Sequence, residues 1–185
     1  MAFLTIKTMN FHLDKSIELL ARTPQAYKEL FTGLQYDWAH INEGANTWNA
    51  FDIVGHLIHG EQTDWVPRGR IILGNQADKT FVPFDRFAQE QLSVGKTMDE
   101  LLEEFDQLRQ ANLQELKSWN LSPTDLAKTG IHPDLGTVTL QELLATWTIH
   151  DMAHLNQISR ALVKHYAQDV GPWHQYIRLL KDKQG

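Results

Sequence analysis

The chain of 185 residues contains no cysteine. Disulfides, thiolate metal sites and a cysteine nucleophile are therefore excluded. No apolar run approaches the roughly 20 residues that a membrane-spanning helix needs. The opening MAFLTIKTMN lacks a charged region followed by an apolar one, so no secretory leader is expected. A basic excess is also missing. The formal net charge is -6, the wrong sign for a phosphate-binding surface, so nucleic acid is not an expected partner. There is no long block of one charge, no low-complexity tail and no internal repeat. Nor is there a GxSxG elbow, a Walker loop, a GxGxxG turn or an HExxH pair. What remains is a chain of single-domain size, 1–185, able to bury its own core and expected in the cytoplasm.

The periodicity is helical almost throughout. FHLDKSIELLAR predicts a short first helix. Thr23 and Pro24 then read as an N-cap and an N1 proline, before Tyr27, Leu30, Phe31 and Leu34 at spacings of three and four. A second helix is expected from Thr47 or Asn49 through FDIVGHLIHGEQTDWVPRGRIIL, kinked or ended by Pro67. Phe51, Val54, Ile58, Trp65 and Ile72 form one apolar row along it, and Ile53, Leu57, Gly60 and Ile71 another nearly opposite. A helix apolar on two sides is buried between neighbours or against a second chain. The third helix, near 97–119, opens with Thr97 and Glu100 in capping-box spacing and carries Met98, Leu101, Leu102, Phe105, Leu108 and Leu116 on one stripe. DELLEEFD beside that stripe reads as a solvated face. The fourth helix spans about Leu140 to Lys164, and a last short one opens at GPW and runs to about Leu180. With no convincing strand pair, this is an all-α four-helix bundle with long connections at 75–96 and before the fourth helix.

The fourth helix raises a chemical question. At about 100° per residue, Leu140, Leu143, Leu144, Trp147, Leu155, Ile158 and Leu162 share one direction. His154 and Asp151 fall inside this stripe and His150 lies at its edge, so HDMAH is turned toward the core. Burying such groups without partners costs on the order of 2–7 kcal/mol each. A divalent metal would satisfy them, because histidines at i and i+4 lie one turn apart on one face. A third ligand must come from another helix, and GHLIHGE offers His56 and His59. Without cysteine the ligand set is nitrogen and oxygen, which suits zinc or nickel and also admits manganese or iron. The competing reading is a set of core histidines satisfied by hydrogen bonds, since HxxxH spacing arises readily by chance among nine histidines.

Other ionisable residues are weighed against this cluster. Asp151 either orients a ligand histidine and takes part in proton transfer, or pairs with a basic group. Arg109, near the stripe of the third helix, is a candidate partner. Glu61 falls in an apolar row and is expected to be buried and paired. His12, His40, His165 and His174 are expected at the surface. His132, in the turn-rich IHPDLG stretch, is within reach of the site mouth but reads first as a loop residue. A di-iron bundle would need paired Glu-x-x-His motifs, and the sequence contains no Glu-x-x-His.

TWNAFDIVGHLIHGE on the second helix and TLQELLATWTIHDMAHLNQI on the fourth resemble the two marks of the DinB-like family. The marks are a tryptophan before a helix bearing G-H-L, and a later H-[DE]-x-x-H-x-x-Q-I. IELLARTPQAYKELFTGL extends the resemblance over nearly the whole chain. It implies a bundle of up-down-down-up order and a divalent metal held by three histidines. By motif position these are His56, His150 and His154, with His59 as the alternative to His56. It also implies frequent homodimers. Some relatives transfer low-molecular-weight thiols to electrophiles.

The functional expectation is a metal-dependent enzyme of thiol-transferase or hydrolase type acting on a small molecule, with no membrane partner. Its rivals are a non-catalytic small-molecule or metal-binding module and a structural dimer whose histidines only pack.

Overall fold

The computed structural model describes residues 11–181. The segment MAFLTIKTMN, read above for a leader, lies outside the described residues. The first bundle segment is split into α1 (Leu13–Leu20) and α2 (Thr23–Phe31). Pro24 has no N–H with which to close the helical bond to the Leu20 carbonyl. That carbonyl instead accepts from Arg109 Nη1 at 2.9 Å. Thr23 is thus not the N-cap expected from sequence. The helix begins at Thr23, with Arg22 at the cap position, because the Thr23 hydroxyl is drawn across the core instead.

A four-residue turn of helix, α3 (Tyr36–Ala39), lies within the polar stretch after α2. The second bundle segment is α4 (Ala50–Thr63) and α5 (Trp65–Leu73). Asn49 caps α4, exchanging bonds with Asp52 in a capping box. The break falls at Asp64, three residues before Pro67, whose missing N–H leaves the Thr63 carbonyl without its helical partner. The connection 75–96 contains α6 (Gln89–Leu92). Then α7 (Met98–Ser118) opens on the expected Thr97–Glu100 capping box. A short α8 (Pro123–Leu126) precedes the last bundle helix, α9 (Leu140–His165), capped by Thr139 and Glu142. The carboxy-terminal helix is two 3₁₀ segments, Gly171–Tyr176 and Arg178–Leu180.

A second expectation is corrected. A strand pair does exist: β1 (Thr129–His132) and β2 (Gly136–Thr139) form an antiparallel hairpin in register Thr129↔Thr139 to His132↔Gly136. Four residues per strand are too few to show clear alternation. The hairpin holds because it packs on the bundle and because Phe81 N–H donates to Ile131 O at 2.9 Å and Ile131 N–H to Lys79 O at 3.0 Å. A two-stranded hairpin alone is marginal.

Helices α2 and α4 pack on α7, and α1, α4 and α5 on α9. Residues 53–61 of α4 are buried without interruption. The two apolar sides of this helix are therefore both covered within one chain, by α7 on one hand and by α6 and α9 on the other. The core falls into two apolar clusters. One gathers Tyr27, Ile53, Leu57, Leu102, Phe105 and Ile158, and the other Leu20, Trp65, Ile72, Leu113, Leu143 and Trp147. The acidic run beside the α7 stripe is largely exposed, with Glu103 and Asp106 paired to Lys28 at 2.9 and 2.7 Å.

Helix α5 meets the end of α7 at very close range. A Cβ on Gly69 would lie 2.5 Å from Trp119 Cη2 and 2.8 Å from Cζ3. Gly69→Ala is expected to destabilise the fold by about 1–3 kcal/mol, as overpacked sites do. The check is the urea midpoint. A midpoint equal to wild type would mean the indole gives way freely.

Candidate metal centre

Between the two apolar clusters lies a polar layer with one residue from each bundle segment: Thr23, Glu61, Arg109 and Asp151. Arg109 is 1 % exposed and Asp151 fully buried. Arg109 Nη1 donates to Asp151 Oδ2 at 2.7 Å and Nη2 to Glu61 Oε1 at 2.8 Å. Glu61 also accepts from Trp147 Nε1 at 2.9 Å and from Asn112 Nδ2 at 2.9 Å. The Thr23 hydroxyl donates to Asp151, and Tyr27 Oη donates to the Asp151 carbonyl at 2.9 Å. Burial alone would lower the Arg109 pKa, but the charges of Asp151 and Glu61 outweigh it and hold it above its ordinary value. Burial, helped by the Asp151 charge, pushes the Tyr27 phenol up. The Asp151–Arg109 pairing and the burial of Glu61 are as expected from sequence. Of the two readings of Asp151, pairing with a basic group is the one the geometry takes. Its carboxylate makes no hydrogen bond to an imidazole among the described residues.

With Asp151 locked inward, α9 presents His150 and His154 to α4. His56 Nε2 lies 3.3 Å from His150 Nε2, and His154 Nε2 lies 3.2 Å from His150 Nε2. One nitrogen from each ring falls within 4.8 Å of the other two. Two nitrogens bound at about 2.0–2.1 Å to one tetrahedral zinc stand about 3.3 Å apart, so the spacing fits one ion. His154 Nδ1 lies 3.1 Å from Gln157 Oε1, an arrangement that makes Nδ1 the donor and leaves the Nε2 lone pair facing inward. The Nδ1 atoms of His56 and His150 are buried without a partner among the described residues. Burial, reinforced by the neighbouring imidazoles, pushes His56 down to about 3 and His150 to about 4. Burial lowers His154 as well, partly offset by Gln157. All three shifts favour the neutral imidazole, the form a metal requires.

His59 does not join them. It is buried against Phe84, with ring centroids 4.8 Å apart, and lies outside the three-nitrogen group. Burial lowers its pKa, against the pull of Asp85. Helical phase left His56 and His59 open, and the packing of α4 on α9 brings only His56 to His150. Trp48, just before the α4 cap, walls the site with its ring 4.8 Å from His56 and 6.3 Å from His154. Trp65 closes another side, edge-on to His150 at 5.1 Å.

A cleft of about 530 Å³ holds His56 and His150 in its wall together with Trp65, Phe81, Phe84 and Leu143. His132 lines it too, from β1 rather than from a loop. Its Nδ1 accepts from the backbone of Asp134 and Leu135, at 3.1 and 3.3 Å. His12, His165 and His174 are exposed as expected. His40 is half-buried, stacked between Tyr36 and Phe51. Two further polar residues of the cleft, Asp64 and Arg68, were not singled out from sequence. The available signal was a charged i,i+4 pair inside a helix apolar on two sides. They form an ion pair, and burial pushes the Asp64 carboxyl up to about 6 despite Arg68.

No helix among the described residues is long and apolar enough to cross a membrane. The fold is similar to that of YfiT from Bacillus subtilis, described as a probable metal-dependent hydrolase with an unusual four-helix bundle topology. The two are 18% identical, with a TM-score of 0.69 over 89% of this chain and 91% of that one. This likeness shows a shared four-helix-bundle fold. No curated protein matches the chain. The DinB superfamily model matches residues 19–158, a span that includes His56, His150 and His154, and the chain therefore belongs to the DinB superfamily.

Proposed function

We propose that this protein is a divalent-metal-dependent enzyme of hydrolase or thiol-transferase type acting on a small molecule, with His56, His150 and His154 as the metal ligands. The observation that carries this reading is the convergence of three imidazole nitrogens, one from a buried and two from half-buried histidines, beside a cleft of about 530 Å³. The description of YfiT as a probable metal-dependent hydrolase supports it. The donor set fits zinc or nickel and admits manganese or iron. Such an ion, once bound, brings a coordinated water or thiol toward ionisation at neutral pH.

The chain supplies the rest. His154 is held in one tautomer by Gln157, so its inward nitrogen is a lone pair. Asp151 acts as a positioning residue: saturated by Arg109 and Thr23, it fixes the rotation of α9 and hence the aim of its neighbour His150. Trp48 and Trp65 cover the imidazoles and limit water around them. The apolar wall of Phe81, Phe84 and Leu143 receives the body of a small substrate.

The test is turnover. Protein loaded with zinc or nickel is assayed on a panel of esters and of thiol–electrophile pairs, beside chelated and reloaded samples. Product that disappears on chelation and returns on reloading is the expected result. Tight metal binding with no product from any pair would leave a non-catalytic binding module.

A further inference from the structure

Two arginines are buried among the described residues, and their surroundings differ. Arg109 has two carboxylates, a hydroxyl and a carbonyl around it. Arg68, only 6 % exposed, has a single carboxylate. Its Nε pairs with Asp64, its Nη2 reaches Val82 O at 3.5 Å, and its guanidinium lies over the Phe81 ring at 5.1 Å. Nη1 has no partner among the described residues. Arg68 also lines the cleft that holds His56 and His150, and no other lysine or arginine among the described residues does. Glu142 lines it too, but its carboxylate is taken by the N–H and hydroxyl of Thr139 at 2.7 and 2.8 Å. The cleft therefore offers one buried guanidinium that is held in place by stacking and by one carboxylate, with a donor edge left over. That geometry suits a planar carboxylate.

We infer that Arg68 anchors a substrate carboxylate, so that the cleft takes a small carboxylate-bearing molecule whose apolar body lies along Phe81, Phe84 and Leu143. This rests on the reading of the cleft as the substrate site, but not on the metal. Arg68 is then a specificity-determining residue, and Asp64 is the internal anion that fixes the guanidinium and competes with the ligand for it.

The test compares 3-phenylpropanoate with its neutral isostere 3-phenylpropanamide by NMR titration of the full chain, metal-free and zinc-loaded. The acid is expected to bind about tenfold or more tightly than the amide in both forms, the usual margin for a charge-assisted hydrogen bond. Arg68→Gln removes the preference, Arg68→Lys keeps part of it, and Asp64→Asn keeps or strengthens it. If Arg68→Gln does not fold, by far-UV circular dichroism, Asp64→Asn decides: weaker acid binding overturns the proposal. Equal binding of acid and amide, no binding of the acid at millimolar concentration, or an unchanged preference in folded Arg68→Gln also overturns it. So does a preference that is seen only with zinc and lost on chelation, since the metal would then be the anion site. If the chain takes up no zinc but metal-free protein prefers the acid, the metal reading fails and the Arg68 anchor stands.

Discussion

His150→Ala is expected to take up no stoichiometric zinc, whereas the wild-type chain takes up about one ion. His150 is the shared member of the group: its Nε2 is within 3.3 Å of His56 Nε2 and 3.2 Å of His154 Nε2. Without it two nitrogens remain, and a two-ligand site does not hold a first-row ion against a chelating buffer. The effect is also a stability effect, because an ion that binds only the folded chain adds stability by mass action. At a thousandfold excess over the dissociation constant this is about 4 kcal/mol, or a rise in Tm of roughly 8–16 °C for a domain of this size. The wild type should show that rise on adding zinc, and His150→Ala should show none. The ring also touches Trp65, so the variant is compared with metal-free wild type to separate lost packing from lost ligation. His59→Ala should keep both the zinc and the shift, because its ring lies outside the group. An undiminished zinc shift in His150→Ala would sink the ligand assignment.

Arg109→Met is expected to cost about 3–5 kcal/mol, the usual penalty for removing one partner of a buried ion pair. Here two carboxylates, Glu61 and Asp151, are left without their cation in a layer that solvent does not reach. The expected fall in Tm is roughly 6–20 °C. The metal-free protein is the right sample, so that no bound ion offsets the loss. The triple variant Arg109→Met with Glu61→Gln and Asp151→Asn should recover part of the stability, since it removes the stranded charges as well. The three positions share one hydrogen-bond network, so their effects will not add. A loss below about 1 kcal/mol for Arg109→Met would mean that water enters the layer and that the network does not set the rotation of α9.

Much of the bundle was legible because its signals are local. Thr97 with Glu100 set the start of α7, as expected from sequence, and Asn49, one of two candidate starts, set that of α4. Pro67 announced the break between α4 and α5, because a missing N–H acts on the carbonyl four residues before it wherever the chain goes. The hairpin was not legible. Its strands are four residues each, and what stabilises them is the backbone of residues 79–81, some fifty positions away in sequence. Thr23 was misread for a related reason. In sequence it precedes a proline like an N-cap, but its hydroxyl finds Asp151 across the core.

The site divides in the same way. By itself the sequence determined that the chain is helical, that HDMAH faces inward on α9, and that no thiolate takes part in any metal site. These follow from periodicity and composition, which need no knowledge of neighbours. The tertiary structure alone decided which of His56 and His59 lies beside the histidines of α9, because two residues three apart differ by about 60° around a helix and only the packing of α4 on α9 says which one faces them. It also gave Asp151 to Arg109 rather than to an imidazole, and it placed Asp64 and Arg68 in the wall of the histidine cleft. Those choices depend on distances between segments far apart along the chain, and only the folded chain fixes such distances.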